Sequence, residues 1–440
     1  MRAAVLCRVA AVASLAACML LPGPAAALRI DYVADLTVEH DDNLQLTETD
    51  PLAATALRPG FGFTATHDGP ALALRLTGRT ELSHYDGARF HDHVDSTLDA
   101  RATWTVRPER LRVEWNDNLS VQPVDPLAAD APGNRQQVHV TSLGPSLLFG
   151  RDDGWRGDAG ARWVRSTADV TRIFDADRLD LTVRAERRLD PDTRLAFDLE
   201  TQRVDFRDDT VAGDYRRTQL YARWTRALSR FDLTLDAGLS RLHDMRTPAG
   251  TADARNDPLL RATLAWRPDD RQRLRARLSS QFSDIASDRL AAVSAGSGLP
   301  DTVPTGDIVV DGTPYLERRL ELEYARTTER WHVTFVPHAN RIRYEGSAAF
   351  DRDSRGGVLD VAYRARRTLT LGLSAGLDHS DYARLDRVDD QRRVRVWARL
   401  QRSRHWSVQA EVERWQRRST VPGQDADRDT LALTVSYHNR

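Results

Sequence analysis

Leu179-Asp180-Leu181-Thr182-Val183-Arg184-Ala185-Glu186 runs through the turn Leu189-Asp190-Pro191-Asp192-Thr193 into Leu195-Ala196-Phe197-Asp198-Leu199-Glu200. Apolar and polar side chains alternate with a period of two on both sides of the turn, the pattern of strands with one apolar and one polar face. The alternation outlasts the five or six residues usual in a soluble sheet. About ten such residues are what a tilted strand needs to cross a bilayer. The unit recurs along almost the whole chain and predicts an all-β fold. It is a single antiparallel transmembrane β-barrel of about 20 strands, with 18–22 compatible, in the outer membrane of a Gram-negative bacterium.

Two regularities support this reading. Short turns such as Arg107-Pro108-Glu109-Arg110 and Arg267-Pro268-Asp269-Asp270 alternate with long polar loops, as short periplasmic turns and long external loops do. Tryptophans gather beside the short turns: Trp104, Trp224 and Trp266 precede one, and Trp155, Trp331 and Trp406 follow one. Tyr85, Tyr344 and Tyr382 stand beside long loops and are expected to form a second interfacial girdle. Residues 286–314 are the longest interruption. Apolar content is unneeded in a solvated loop, so part of this segment is expected to fold into the barrel mouth and narrow it, with a mobile external loop as the alternative.

The totals agree. The chain has 440 residues, 29 % of them charged, and a formal net charge of −1. A barrel meets lipid with one residue in two, so a charged lumen face is compatible with a membrane protein. The near-neutral balance gives no argument for nucleic acid as a partner; the partner implied is outer-membrane lipid. Residues 1–27 read as a signal peptide, with Arg2 and Arg8, an apolar run and Ala25-Ala26-Ala27, leaving 28–440 as the barrel. Leu15-Ala16-Ala17-Cys18 also fits a lipoprotein processing box, which leaves lipidation of Cys18 open. Cleavage after Ala27 removes both Cys7 and Cys18, so thiol chemistry has no place in the mature chain.

The candidate functional residues are the charged members of the polar faces. Asp198, Glu200, Arg273, Arg275, Arg277, Glu321, Glu323, Arg393, Arg395, Arg399, Glu411 and Glu413 are expected to face the lumen. Arginine rows beside glutamate rows suit cross-strand pairing, and also guidance of an anionic solute or polymer. Catalytic, cofactor and metal sites are not expected. His91-Asp92-His93 with Asp95 sits at a loop-to-strand junction, where solvated polar residues belong. The aspartate pairs, among them Asp41-Asp42 and Asp389-Asp390, lie at turns that favour aspartate. In Asp378-His379-Ser380-Asp381, neighbouring side chains point to opposite faces of a strand, so His379 and Ser380 do not make a base and nucleophile. Neither a glycine-rich phosphate loop nor a zinc spacing occurs.

The first strand ends in Val38-Glu39-His40-Asp41-Asp42-Asn43-Leu44-Gln45-Leu46-Thr47, and Trp115-Asn116-Asp117-Asn118-Leu119 echoes it. A strand ending in Asp-Asn and an apolar residue, then a threonine- and acid-rich loop, resembles a family of outer-membrane β-barrel porins associated with exopolysaccharide biosynthesis and export loci, including exosortase-linked ones. The resemblance covers the mature chain in rhythm and these short stretches in identity. It implies a passive transport or export component, not an enzyme, with polysaccharide and periplasmic export components as partners. A general porin for small solutes, an outer-membrane enzyme and a structural or adhesive barrel are the alternatives. One departure is the end of the chain: barrels of this kind commonly finish on an aromatic residue, whereas His438-Asn439-Arg440 follow Tyr437 here.

Overall fold

A computed structural model describes residues 28–86, 90–125, 127–128, 131–150, 154–208, 213–247, 250–293, 312–346 and 348–440. Residues 1–27, expected to be a signal peptide and holding Cys7 and Cys18, lie outside the described residues.

Twenty antiparallel strands of 12–16 residues form one sheet. Each barrel strand pairs with the next along the chain, and the first, Arg29–Asp41, pairs with the last, Ala426–His438. The ring is therefore closed and leaves no sheet edge, as hydrocarbon requires. The opening stretch becomes the hairpin Ala176–Arg188 and Thr193–Phe206. The backbone N–H of Asp192 donates to Asp190 across its turn at 2.9 Å. That bond holds the exposed Asp190 carboxyl below the usual carboxylate range, so the cap is present at neutral pH and lost as pH falls through the lowered value. A two-strand hairpin, Arg246–Thr247 with Gly250–Thr251, stands outside the ring in one loop.

Side-chain direction follows the alternation. Leu181, Phe197, Leu235, Leu322 and Val396 are exposed on the outer face. Trp104, Trp155, Trp266, Trp331 and Trp406 are exposed beside short turns and form the expected periplasmic girdle. Tyr437 belongs to it: its ring meets Trp406 edge-on at 5.2 Å and Tyr32 at 6.4 Å. An aromatic thus sits at the interface, and the residues after it are used for closure. Asn439 accepts from the Tyr32 amide and donates to the Ile30 carbonyl, and Arg440 lies 3.4 Å from Asp31.

The three tyrosines do not form the expected second girdle. Tyr85, Tyr344 and Tyr382 are buried. Tyr344 packs on Tyr315 and Phe350, and Tyr85 on Phe90 and His93. The reason is parity: His84, Arg343 and Asp381, one position earlier, take the outer face, so the tyrosines turn inward. The strands also rise beyond the apolar alternation, because above the lipid band both faces become polar while the backbone ladder continues. Outward ion pairs mark that zone, including Arg165–Asp177, Arg341–Asp353, His379–Asp390 and Arg418–Asp427, each at 2.8–2.9 Å. One consequence corrects the loop pattern. The strand Arg387–Gln401 starts well before the apolar residues do, so the loop after Tyr382 is only residues 383–386.

Candidate transport lumen

The inner face is identified by what folds against it. The chain between Gln272–Ser283 and Tyr315–Thr327 enters the ring as the helix α1, Ile285–Val293. α1 contacts the strands His93–Arg107, Leu111–Pro123 and Arg135–Gly150, and six barrel strands stand between the last of these and Gln272–Ser283. Only the lumen connects those positions. The segment expected to fold into the mouth does so at its start, as a helix where an irregular loop was expected; residues 294–311 lie outside the described residues.

Why α1 docks is legible residue by residue. Ile285 and Ala286 are buried against Val138, Val140, Val164 and Phe174, apolar residues on inward positions. Asp284 caps the helix by accepting from the Ser287 amide at 3.1 Å and its hydroxyl at 2.7 Å. The same carboxylate faces Arg178 at 3.6 Å and Arg217 at 3.5 Å. Arg217 also donates to the Phe282 carbonyl and the Ser287 hydroxyl, each at 3.1 Å. Arg178 donates to the Ser166 hydroxyl at 2.6 Å. Asp288 accepts from Tyr315 and from Ser283. Buried charges are tolerated when paired and hydrogen-bonded, and this network ties one helix to three walls.

The first-strand motif has a comparable role. Asn43 donates to the carbonyls of Thr47 and Asp427 and accepts from the Thr47 amide, which turns the loop back over the rim. Leu44 then packs with Tyr85, and Leu46 with Trp415. The Asp-Asn-apolar signature is a device for folding a loop inward. In its echo, Asn118 donates to Asp99 and Asp117 pairs with His139.

On this register we assign the candidate residues to the lumen. Asp198 and Glu200 lie opposite Phe197 and Leu199; Asp198 pairs with Arg184 at 2.7 Å, and Tyr221 donates to Glu200 at 2.5 Å. Arg273 and Arg275 reach Glu323 at 2.5 and 3.6 Å, and Arg277 reaches Glu321 at 2.6 Å. Arg393 and Arg428 share Glu413 at 3.6 and 3.4 Å. Arg399 bonds Gln409, and Gln409 donates to Glu411. Arg395 stands across from Glu413 in the register, and its buried Nε has no hydrogen-bond partner among the described residues. Two candidate groups stay apart. Asp92 accepts from His84 while His93 turns to Asp95, and His379 faces outward to Asp390 while Ser380 bonds Asp378. Sequence reasoning did not single out Asp284, Arg178 or Arg217. Only parity marked the two arginines, and nothing local marked Asp284.

A closed ring with lipid-exposed leucines outside, a tryptophan girdle at one rim and charged side chains inside has one home. The protein is a β-barrel of the bacterial outer membrane. No protein-family model matches the sequence, and no curated relative does. Solved structures resemble the fold at low identity. The FrpB iron transporter from Neisseria meningitidis in its apoprotein form superposes with a TM-score of 0.48 at 10 % identity, covering 93 % of this chain and 81 % of that one. The copper transporter OprC gives 0.48 at 12 %, over 95 % and 81 %. A BenF-like porin from Pseudomonas fluorescens Pf-5 gives 0.42 at 10 %, over 94 % and 100 %.

Proposed function

We propose that this barrel is a passive conduit by which an extracellular polysaccharide leaves the cell, working with periplasmic export components and without catalysis of its own. The observation that carries the transport reading is the closed twenty-strand ring with a charged inner wall, since a ring of that size leaves room for water and solute. The choice of polysaccharide is supported by the likeness of Asp41-Asp42-Asn43-Leu44 and its surroundings to porins of exopolysaccharide loci. A porin for small solutes is the second reading, and α1 favours it, because a helix lodged in the mouth narrows the passage. Two measurements test the choice. The purified protein in a planar bilayer is expected to conduct ions; a folded barrel without conductance overturns transport. Deleting the gene in its own bacterium is expected to abolish surface polysaccharide and leave polymer in the periplasm. Normal surface polysaccharide with impaired uptake of small solutes selects the porin.

A further inference from the structure

The wall parts where the chain turns into the lumen. Arg255–Trp266 pairs with the strand before it over twelve residues but with Gln272–Ser283 over only seven, Leu260–Trp266. Above Leu260 the second strand turns inward: Phe282 packs with the inner-face residues Tyr215 and Leu242, and its carbonyl accepts from Arg217 and Gln219. Among the described residues no strand takes its place beside residues 255–259. Pro258 leaves one backbone donor fewer on that edge. Leu260 stands six residues above the girdle residue Trp266, roughly 15 Å along the barrel axis, so the notch opens onto the outer half of a lipid band about 25 Å tall. Across it the outer-face Arg318 reaches the inner-face Asp257 at 3.9 Å.

A groove of about 650 Å³ runs along the outer face beside this notch. Leu260, Leu278 and Leu320 line it below and are exposed to lipid; Arg318, Arg341 and Arg355 line it above, with Asp353 and Asp381. Arg341 stands ten residues above the girdle residue Trp331, roughly 25 Å along the axis, which is the height of lipid headgroups. Four arginines, counting Arg343, meet three aspartates, counting Asp257, so the groove carries little net charge. What it leaves unused is hydrogen bonding. Arg341 and Arg343 share Asp353 at 2.9 and 2.6 Å, whereas Arg318 and Arg355 make no side-chain hydrogen bond among the described residues. On other strands of the outer face Arg203 bonds Asp205 at 2.9 Å and Arg414 bonds Asp429 at 3.3 Å.

A guanidinium fork matches a phosphate bidentately. The leucines directly below suit acyl chains, which a soluble anion would not use. We propose that this groove binds a phosphorylated lipid of the surrounding leaflet. Arg318 and Arg355 hold its phosphate, its chains lie on Leu260, Leu278 and Leu320, and the lipid covers the notch from outside. The inference goes beyond the transport reading and does not depend on it.

The test uses the full mature barrel, refolded in a phosphate-free zwitterionic detergent, with diphosphoryl lipid A as the probe and the same lipid stripped of both phosphates as the control. Native mass spectrometry is expected to show the diphosphoryl lipid retained, and its phosphate-free counterpart held at least about tenfold more weakly, the size of one charge-assisted hydrogen bond. Arg318→Ala and Arg355→Ala are each expected to weaken retention about tenfold. Arg203→Ala combined with Arg414→Ala removes the same charge from the outer face as the groove double variant and is expected to leave retention unchanged. Preservation of the heat-modifiable electrophoretic band checks that each variant folds. Equal retention of the two lipids, no retention of either, unchanged retention in the groove double variant, or an equal loss in the control variant overturns the inference. So does displacement by inorganic phosphate at the concentration of the lipid, which would make this a simple anion site.

Discussion

At position 199 a leucine meets lipid and at position 200 a glutamate accepts from Tyr221, so one step along the backbone crosses the barrel wall. Leu195 is level with the girdle residue Trp155 through the register Trp155–Arg187–Leu195. Four residues further, Leu199 is roughly 10 Å into a lipid band about 25 Å tall. Leu199→Arg is expected to destabilise the barrel by about 2–4 kcal/mol in urea unfolding, whereas Glu200→Arg loses one hydrogen bond, about 1 kcal/mol. Equal costs at the two positions would refute the register. A second site tests the inner face. Gly372 lies directly beneath the ring of Trp397, where an added Cβ would collide with the indole. Gly372→Val is expected to cost about 1–3 kcal/mol by overpacking and to shift tryptophan emission; unchanged emission and stability would mean that Trp397 does not rest there. The alternation that sorts positions 197–200 is fully legible in the sequence. The Gly372–Trp397 contact is not, because it depends on which residues two strands place side by side.

Elements were read best where lipid constrains them. A strand facing hydrocarbon must alternate, so the apolar halves of the strands stand out. Above the band Arg341, Asp353, His379 and Asp390 satisfy the same ladder with polar side chains, and alternation no longer marks where a strand begins. The tyrosines fell in that zone, which is why Tyr85, Tyr344 and Tyr382 were assigned outward from loop proximity when parity turns them inward. α1 was half legible: the apolar content of its segment signalled burial, but its nine residues depend on tertiary partners for stability, as short helices do. Those partners make a prediction. Asp284→Ala removes the cap and the carboxylate that both Arg178 and Arg217 face in a buried site. Losing one member of such a group costs about 3–5 kcal/mol, and the loss falls on helix docking because the barrel ladder does not involve it. The variant is expected to keep its heat-modifiable band, to conduct more than the parent, and to become cleavable by trypsin after Arg289. Parental conductance and protease resistance together would show that α1 is held by its apolar contacts alone.

Closure belongs to the whole molecule, and no single strand encodes it. Sequence reading supplied a count near twenty and an even number, which puts both ends of the chain on the periplasmic side, but pairing of the first strand with the last is a property of the finished ring. That seam is shorter than its neighbours: nine residue pairs join Val33–Asp41 to 430–438, against thirteen between Arg29–Asp41 and Ala54–Asp68. The last residues extend it by other means. Asn439 occupies the Tyr32 amide and the Ile30 carbonyl, two backbone groups beyond the end of the ladder, and Arg440 approaches Asp31. Barrel unfolding has to open somewhere: the junction of Arg255–Trp266 with Gln272–Ser283 has only seven pairs but is bridged by the chain, whereas no chain connection bridges the first strand to the last. Deleting residues 439–440 leaves Tyr437 and its girdle contacts intact and removes the three hydrogen bonds of Asn439, at about 0.5–1.5 kcal/mol each, with the Arg440–Asp31 approach. The truncated protein is therefore expected to fold, to show mainly β circular dichroism, and to convert to the unfolded band at a lower temperature than the parent. Three side-chain hydrogen bonds removed from mid-ring positions, by Thr64→Val, Thr80→Val and Thr201→Val across from Thr77, Ser96 and Thr218, should lower that temperature less, because the seam stays shut. If these interior substitutions lower it as much as the truncation does, the seam is no weaker than the rest of the wall and opening starts elsewhere.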